Sequence, residues 1–232
     1  MIITEACVAC GECLQFCPVL AIEIKENQAV IREEDCVECG NCLRTASCPV
    51  NAIERNELTW PRTIRHILSD PQSLYAETGV TGRGTEEMKT NCVTGRFVPG
   101  ELGIAIDVGR PNMGVKISEI EKITQALAAL GLTFEKDNPI TALLKDNQGN
   151  IAEEVKNERI LSGVVECKVK EEEIDLALAR IEEVAGELDT VFSLGIIAPV
   201  YSNGEIPVWD KLTANGWDIR PNGKTNIGLG RK

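Results

Sequence analysis

Eight of the ten cysteines fall into two near-copies of one spacing, and nothing else in the chain restricts its fold as much. The first run is Cys7, Cys10, Cys13, Cys17 and Pro18, spaced C-x2-C-x2-C-x3-C-P. The second is Cys36, Cys39, Cys42, Cys48 and Pro49, spaced C-x2-C-x2-C-x5-C-P. Two residues between ligands let a tight turn wrap a cubane, with its amides directed at the sulfides. Four thiolates can hold one [4Fe-4S] cube, and triplets with a trailing Cys-Pro are the two-cluster spacing. A zinc ribbon needs paired C-x2-C elements, often with histidine, and gives no reason for triplets. A disulfide framework needs an oxidising compartment, and the sequence opens with no secretory leader.

The fourth cysteine of each run follows the loop and points away from it, and in the two-cluster arrangement it ligates the other cube. Cluster I is then expected on Cys7, Cys10, Cys13 and Cys48, and cluster II on Cys36, Cys39, Cys42 and Cys17. On these motifs residues 1–58 resemble the bacterial two-[4Fe-4S] ferredoxin family, of which the clostridial ferredoxins are the compact form. The resemblance covers about a quarter of the chain. It implies electron transport at the low end of the roughly −700 to +450 mV range open to such clusters. One departure stands out: five residues, Leu43 to Ser47, separate the last two ligands of the second run, where the family has three.

The two runs belong to a repeat. Cys7, Cys10 and Cys13 map onto Cys36, Cys39 and Cys42 at an offset of 29, which becomes 31 for Pro18, Ala21 and Ile22 against Pro49, Ala52 and Ile53. Each half reads as strand, cysteine loop, helical turn, strand, with Ile2–Ile3 and Ala21–Ile24 in the first half and Val30–Ile31 and Ile53–Arg55 in the second. So few apolar residues cannot make an ordinary core, and bound metal is expected to substitute for one.

The chain has 232 residues, 43% hydrophobic and 26% charged, as in ordinary globular proteins. No apolar run approaches the ~20 residues of a membrane span. The expectation is a cytoplasmic, anaerobic protein with no membrane span. A net charge of −12 argues against nucleic acid, whose phosphates call for a basic stripe. Residues 1–58 carry four basic and ten acidic side chains, net −6; residues 59–100 are net +1 and residues 101–232 net −7. An acidic cluster domain suits docking on a basic redox partner, and equally suits simple solubility.

Residues 59–100 lack a sustained hydrophobic period and hold Pro61, Pro71, Pro99 and several glycines. One short helix is expected near Arg62–Leu68, then an extended arm from Thr78 to Arg96 that wraps a partner subunit or packs on its own chain. Gly79–Lys89 lacks the Gly-Lys-Ser/Thr ending of a Walker loop, leaving a weak anion nest at Gly82–Thr85 with Arg83 as an option. His66, the single histidine, reads as structural, and Cys92 as an unliganded thiol.

From Glu101 the periods change. Leu102, Ile104, Ile106 and Val108 alternate as a half-buried strand. A turn at Gly109–Gly114 follows, then a capping box from Ser118 and Glu121 and a helix with Ile120, Ile123, Leu127 and Leu130 inward, stopped by Gly131. Leu132–Phe134 and Ile140–Leu144 read as strands and Asp146–Asn150 as a turn. A strand at Ile160–Val169 with Cys167 inward, a helix at Glu171–Ala185 and a strand at Thr190–Ile197 complete the order. The fold class is therefore α+β: a two-[4Fe-4S] ferredoxin domain (1–58), an extended linker arm (59–100), a βαββαβ split βαβ sandwich (101–198) and a tail (199–232) with Trp209 and Trp217 as anchors. By topology alone the sandwich is similar to ACT-like domains, which implies a metabolite site at Gly109–Gly114 or dimerisation.

The chain has no nucleophile–base pair, no dinucleotide fingerprint and no open-site metal triad, and fully cysteine-bound cubes leave no iron corner for substrate. No catalytic residue is expected. The reading is an electron-transfer subunit that relays single electrons to or from the catalytic subunit of a larger oxidoreductase. The alternative is a redox-linked regulator whose C-terminal domain binds a metabolite.

Overall fold

Short apolar pairs flank each cysteine loop, too brief to fold alone, and the chain uses them as clasps. In the computed structural model residues 1–79, 81–85, 88–109, 112–201 and 203–219 are described, except the side chains of 92, 93 and 207. Strand β1 (Ile2–Ile3) enters the first loop, which ends in a 3-10 turn at Leu14–Phe16. Strands β2 (Ile22–Lys25) and β3 (Gln28–Ile31) form a hairpin through Glu26 and Asn27, both left-handed at φ 48° and 62°. Two consecutive left-handed residues give the turn twist that antiparallel strands need. The second loop leads into α1 (Asn41–Thr45), and β4 (Ile53–Glu54) returns to pair with β1, closing the unit on itself. Its buried set is small and centred on sulfur: Met1, Val19, Ala21, Ile22, Ala29, Val37 and Ile53 around Cys13, Cys36, Cys39 and Cys42.

Helix α2 (Thr63–Ser69) follows, with Ile64 and Leu68 fully buried against the larger core of the C-terminal half. A single turn, α3 (Asn91–Thr94), lies further on. The C-terminal half contains β5 (Glu101–Val108), β6 (Val115–Lys116), α4 (Ile117–Ala128), β7 (Thr133–Phe134), β8 (Arg159–Ile160), β9 (Gly163–Lys170), α5 (Ile174–Ala185), β10 (Phe192–Ile197) and α6 (Pro207–Ala214). Four strands make one antiparallel sheet in the order β10-β5-β9-β7. The central register sets Ile104 opposite Cys167 on one side and Ile196 on the other. The alternating set Leu102, Ile104, Ile106, Val108 meets Val165, Cys167, Val169 and the helix residues Ile120, Ile123, Leu127, Ile174, Leu178 and Ile181 in one core.

The opposite face of the sheet is covered by residues the sequence placed in an extended arm. A Cβ on Gly103 would come within 2.5 Å of Met88 Cε and 3.2 Å of Phe97 Cε1, so the absence of a side chain there admits the strap. Met88 and Phe97 are buried, Val164 N donates to Arg83 O at 2.6 Å, and Arg96 pairs with Glu135 at 3.1 Å. The described part of this segment therefore lies against its own chain rather than extending from it. The side chain of Cys92 and residues 80, 86 and 87 lie outside the described residues.

Several local expectations are corrected. Ser118 and Glu121 form no capping box: α4 begins at Ile117, two residues before a Ser118 cap would start it, and the amides of Ile117 and Ser118 donate to the carbonyls of Glu158 and Lys156, each at 3.0 Å. Glu121 instead accepts from Ile151 N at 2.8 Å and pairs with Lys156. Ile140–Leu144 is a 3-10 turn, because buried Asn138 accepts from Ile140 N at 2.7 Å and curls the chain after it. The long strand read at Ile160–Val169 is two: β8 pairs with β6, and the chain breaks at Leu161–Ser162 before β9. In the tail, Trp209 is 42% exposed and lies outside the core, while Val208 and Leu212 are buried among the described side chains of α6. Trp217 does pack against the core.

Candidate metal centres

Both cysteine loops wind through left-handed residues at matching places. Ala9 and Glu38 (φ 55° and 56°), Gly11 and Gly40 (80° and 67°), and Leu20 and Asn51 (55° and 50°) are related by the offsets of the sequence repeat. Alternation of left- and right-handed backbone turns successive amides toward one side, which makes a concave, electropositive cradle. Ala9 N and Ala29 N approach Cys7 Sγ at 3.4 Å, Ala21 N donates to Cys17 Sγ at 3.1 Å, and its repeat mate Ala52 N donates to Cys48 Sγ at 3.2 Å.

Two pockets lie between the loops. One is lined by Cys7, Cys10, Cys13 and Cys48, with Val8, Gly11, Ala29 and Val50 beside them. The other is lined by Cys17, Cys36, Cys39 and Cys42, with Met1, Pro18, Val19 and Val37. Each therefore draws three thiols from one run and the fourth from the other. The crossing follows from chain geometry. After Cys13 and Cys42 the Leu14–Phe16 turn and α1 reverse the chain, carrying Cys17 and Cys48 across.

The donor chemistry fits iron–sulfur cubes. Burial pushes the Cys42 thiol up to about 12 and Cys36 to about 11, and raises Cys39 and Cys13 as well. Buried thiols of that kind become thiolates only beside a compensating cation, and binding must release their protons. Cys48 shows the opposite: amides from Ala52 and Val50 hold it below the ordinary thiol value. A cube would supply one-electron storage, while the loops supply thiolates, amide hydrogen bonds and exclusion of water.

The two sites differ in their surroundings. At the first, Cys10 is exposed and Cys7 and Cys48 are half-buried, ringed by exposed Val8 and Val50. At the second, Cys36, Cys39 and Cys42 are buried, Cys17 is half-buried, and the loop is gripped from outside. Arg44 Nη2 donates to Cys39 O at 2.6 Å, and Arg65 Nη1 to Cys36 O at 2.8 Å as well as to the carbonyls of Glu33 and Glu34. Arg65 also pairs with Glu158, and Arg159 with Asp35 at 3.1 Å. Asn112 N donates to Pro18 O, and Leu161 N to Ser69 Oγ at 3.0 Å. The C-terminal half is thereby docked on the second site.

Two buried carboxylates organise this grip. Asp70, with no exposed surface, accepts both contacts of Arg44 Nη1 at 3.0 Å and Arg55 Nη2 at 2.6 Å. Burial pulls its carboxyl upward, but the Gln72 amide and the two guanidinium groups outweigh burial and hold it below the ordinary value. Glu38, between Cys36 and Cys39, pairs with Arg62 at 2.7 Å and with the Met1 amino group, and is likewise held low against its own burial. His66 Nδ1 stands 3.3 Å from Glu38 O and 3.4 Å from Asp70, part of the same scaffold.

Apart from His66, none of these anchors was singled out in the sequence. Arg65 and Glu158 lie 93 residues apart, and only Arg44, inside the lengthened spacer, carried a local signal. The option of an anion nest at Gly82–Thr85 resolves internally: Thr85 N donates to the buried Glu166 carboxylate at 3.0 Å, and Arg83 to Ser162 Oγ at 2.7 Å. Burial raises the Glu166 carboxyl despite Asn138 and that amide. In the turn at Gly109–Gly114, residues 110 and 111 lie outside the described residues. Cys167 is fully buried in the sheet, its thiol pushed to about 12 by burial. Among the described residues no helix is long and apolar enough to cross a membrane.

No curated protein matches the chain. Residues 6–52 match the family model of the 4Fe-4S dicluster domain, and this part of the chain is an iron–sulfur domain of ferredoxin type.

Proposed function

We propose that the chain is an electron-transfer subunit with two [4Fe-4S] clusters, passing single electrons to or from the catalytic subunit of a larger oxidoreductase that works without oxygen. Cluster I is assigned to Cys7, Cys10, Cys13 and Cys48, and cluster II to Cys36, Cys39, Cys42 and Cys17, in the arrangement of clostridial-type ferredoxins. One observation carries the reading: each pocket gathers three thiols of one run and the trailing cysteine of the other. That crossed pattern sets two cubes side by side on a shared backbone, which suits passage of charge between them. The C-terminal half serves as a scaffold. The donation from Asn112 N to Pro18 O favours docking over metabolite binding as the task of its first turn.

Anaerobic reconstitution with iron and sulfide tests the proposal. About eight irons per chain, with electron paramagnetic resonance of two interacting clusters after reduction, is the expected result. Zinc in their place, or about four irons, would overturn it. Co-purification from cells under oxygen exclusion then tests the subunit assignment, which a strictly solitary carrier contradicts.

A further inference from the structure

Electrons need a face through which to leave, and the two sites are unequally placed to offer one. The repeat pairs them residue by residue, so their surroundings can be compared mate by mate. Around the first site, residues 5–15 contain Glu5 and Glu12 and no basic residue. Glu5, Val8, Cys10 and Glu12 are all exposed, with Val8 at 58% and Val50 at 37%. The four basic side chains of residues 1–58 are engaged elsewhere: Lys25 with Glu23, Arg32 with Asp35, and Arg44 and Arg55 with Asp70 beside the second site. At the second site three of the four thiols are buried, and α2 and the chain entering β8 hold its loop through Arg65, Glu158 and Arg159.

We infer that the rim of cluster I, formed by Val8, Cys10 and Val50 and flanked by Glu5 and Glu12, is the docking face for a redox protein that presents an apolar contact inside a basic ring. The inference rests on the cluster assignment proposed above and adds which cluster faces the partner and what chemistry recognises it. A patch of small apolar side chains lets two redox centres approach without ordering long side chains, and the acidic flank orients the encounter. A cube held by Cys7, Cys10, Cys13 and Cys48 would supply the one electron that is transferred. A haem-iron acceptor goes from Fe3+ to Fe2+, with no proton or bond exchanged. A cube held by Cys36, Cys39, Cys42 and Cys17 would resupply that electron from within.

The repeat supplies its own control, because Glu5 and Glu34 occupy equivalent places two residues before the first ligand of each run, and both are exposed. The test uses the full chain loaded with iron and sulfide, with a lysine-rich c-type cytochrome as the probe. Binding is measured by calorimetry and electron transfer by stopped flow at low and high salt. Glu5→Lys and Glu12→Lys are each expected to weaken binding and slow transfer about tenfold at low salt, an effect lost at high salt. Glu34→Lys is expected to stay within about twofold. Resonance spectra of the reduced variants identical to the parent show that the clusters are intact. Equal losses in Glu5→Lys and Glu34→Lys, or no loss in either, would overturn the docking face while leaving the cluster assignment standing. A preparation without iron overturns both.

Discussion

The two cysteine loops are copies in backbone and opposites in environment. Ala9, Gly11 and Leu20 repeat as Glu38, Gly40 and Asn51 with left-handed torsions that agree within about fifteen degrees, so the cradles are built alike. Yet the first loop faces outward with Cys10 exposed, while the second is held by guanidinium groups from α1 and α2. The lesson is that a ligand cradle is a local property of ten or so residues, whereas burial and charge are set by whatever packs on it. Duplication copies the former and leaves the latter free to diverge.

The largest effect that bears on this contrast comes from deleting a thiolate. Cys13→Ser and Cys42→Ser should each lose about four irons, since one cube goes. Cys42→Ser should also loosen α2, seen as faster hydrogen exchange at 63–69, whereas Cys13→Ser should leave that helix protected. Equal exchange in both variants would break the contrast. Next, Asp70→Ala leaves Arg44 and Arg55 facing an empty site and should cost about 3 kcal/mol in thermal or denaturant unfolding. This is the low end for a buried pair because both arginines are partly exposed. It should raise the potential of cluster II, by removing a nearby negative charge, and leave cluster I unmoved.

The acid limb gives a smaller effect. The folded Asp70 carboxyl titrates below its ordinary value, so its contribution is complete above about pH 4 and is lost as pH falls through the lower folded value. The parent should therefore lead Asp70→Asn in melting temperature at pH 6, with the lead shrinking on acidification below about pH 4. A constant gap would show that Asp70 is not ionised in the fold. Smallest of all, Arg159→Ala removes an ion pair that is about one-third exposed, and should cost no more than about 1 kcal/mol.

Much of this architecture was legible. The cysteine spacing named the cofactor, and the strict alternation over Leu102–Val108 and the stripe at Ile174, Leu178 and Ile181 gave β5 and α5, because both are patterns of near neighbours. What escaped was long-range or conditional. The Arg65–Glu158 pair has no signature, since one exposed-looking arginine reads like another until α2 meets β8. Ile140–Leu144 looked like a strand because its apolar content was visible and the carboxamide of Asn138 was not recognised as a curling device. Whether the arm packs on its own chain was left open for a third reason: its fit depends on Gly103, whose lack of a side chain gains meaning only once Met88 and Phe97 are placed against it.

The lengthened spacer of the second run takes on a definite role in this light. With three residues the first run makes only the Leu14–Phe16 turn; with five, the second completes a full helical turn at α1, and that turn aims Arg44 at Asp70 and at Cys39 O. A version trimmed to the ordinary length would still offer eight sulfurs, but it would lose the Arg44 clamp and leave that loop to Arg62 and Arg65. Two inserted residues thus tie an otherwise ordinary cysteine loop to a carboxylate sealed inside the protein.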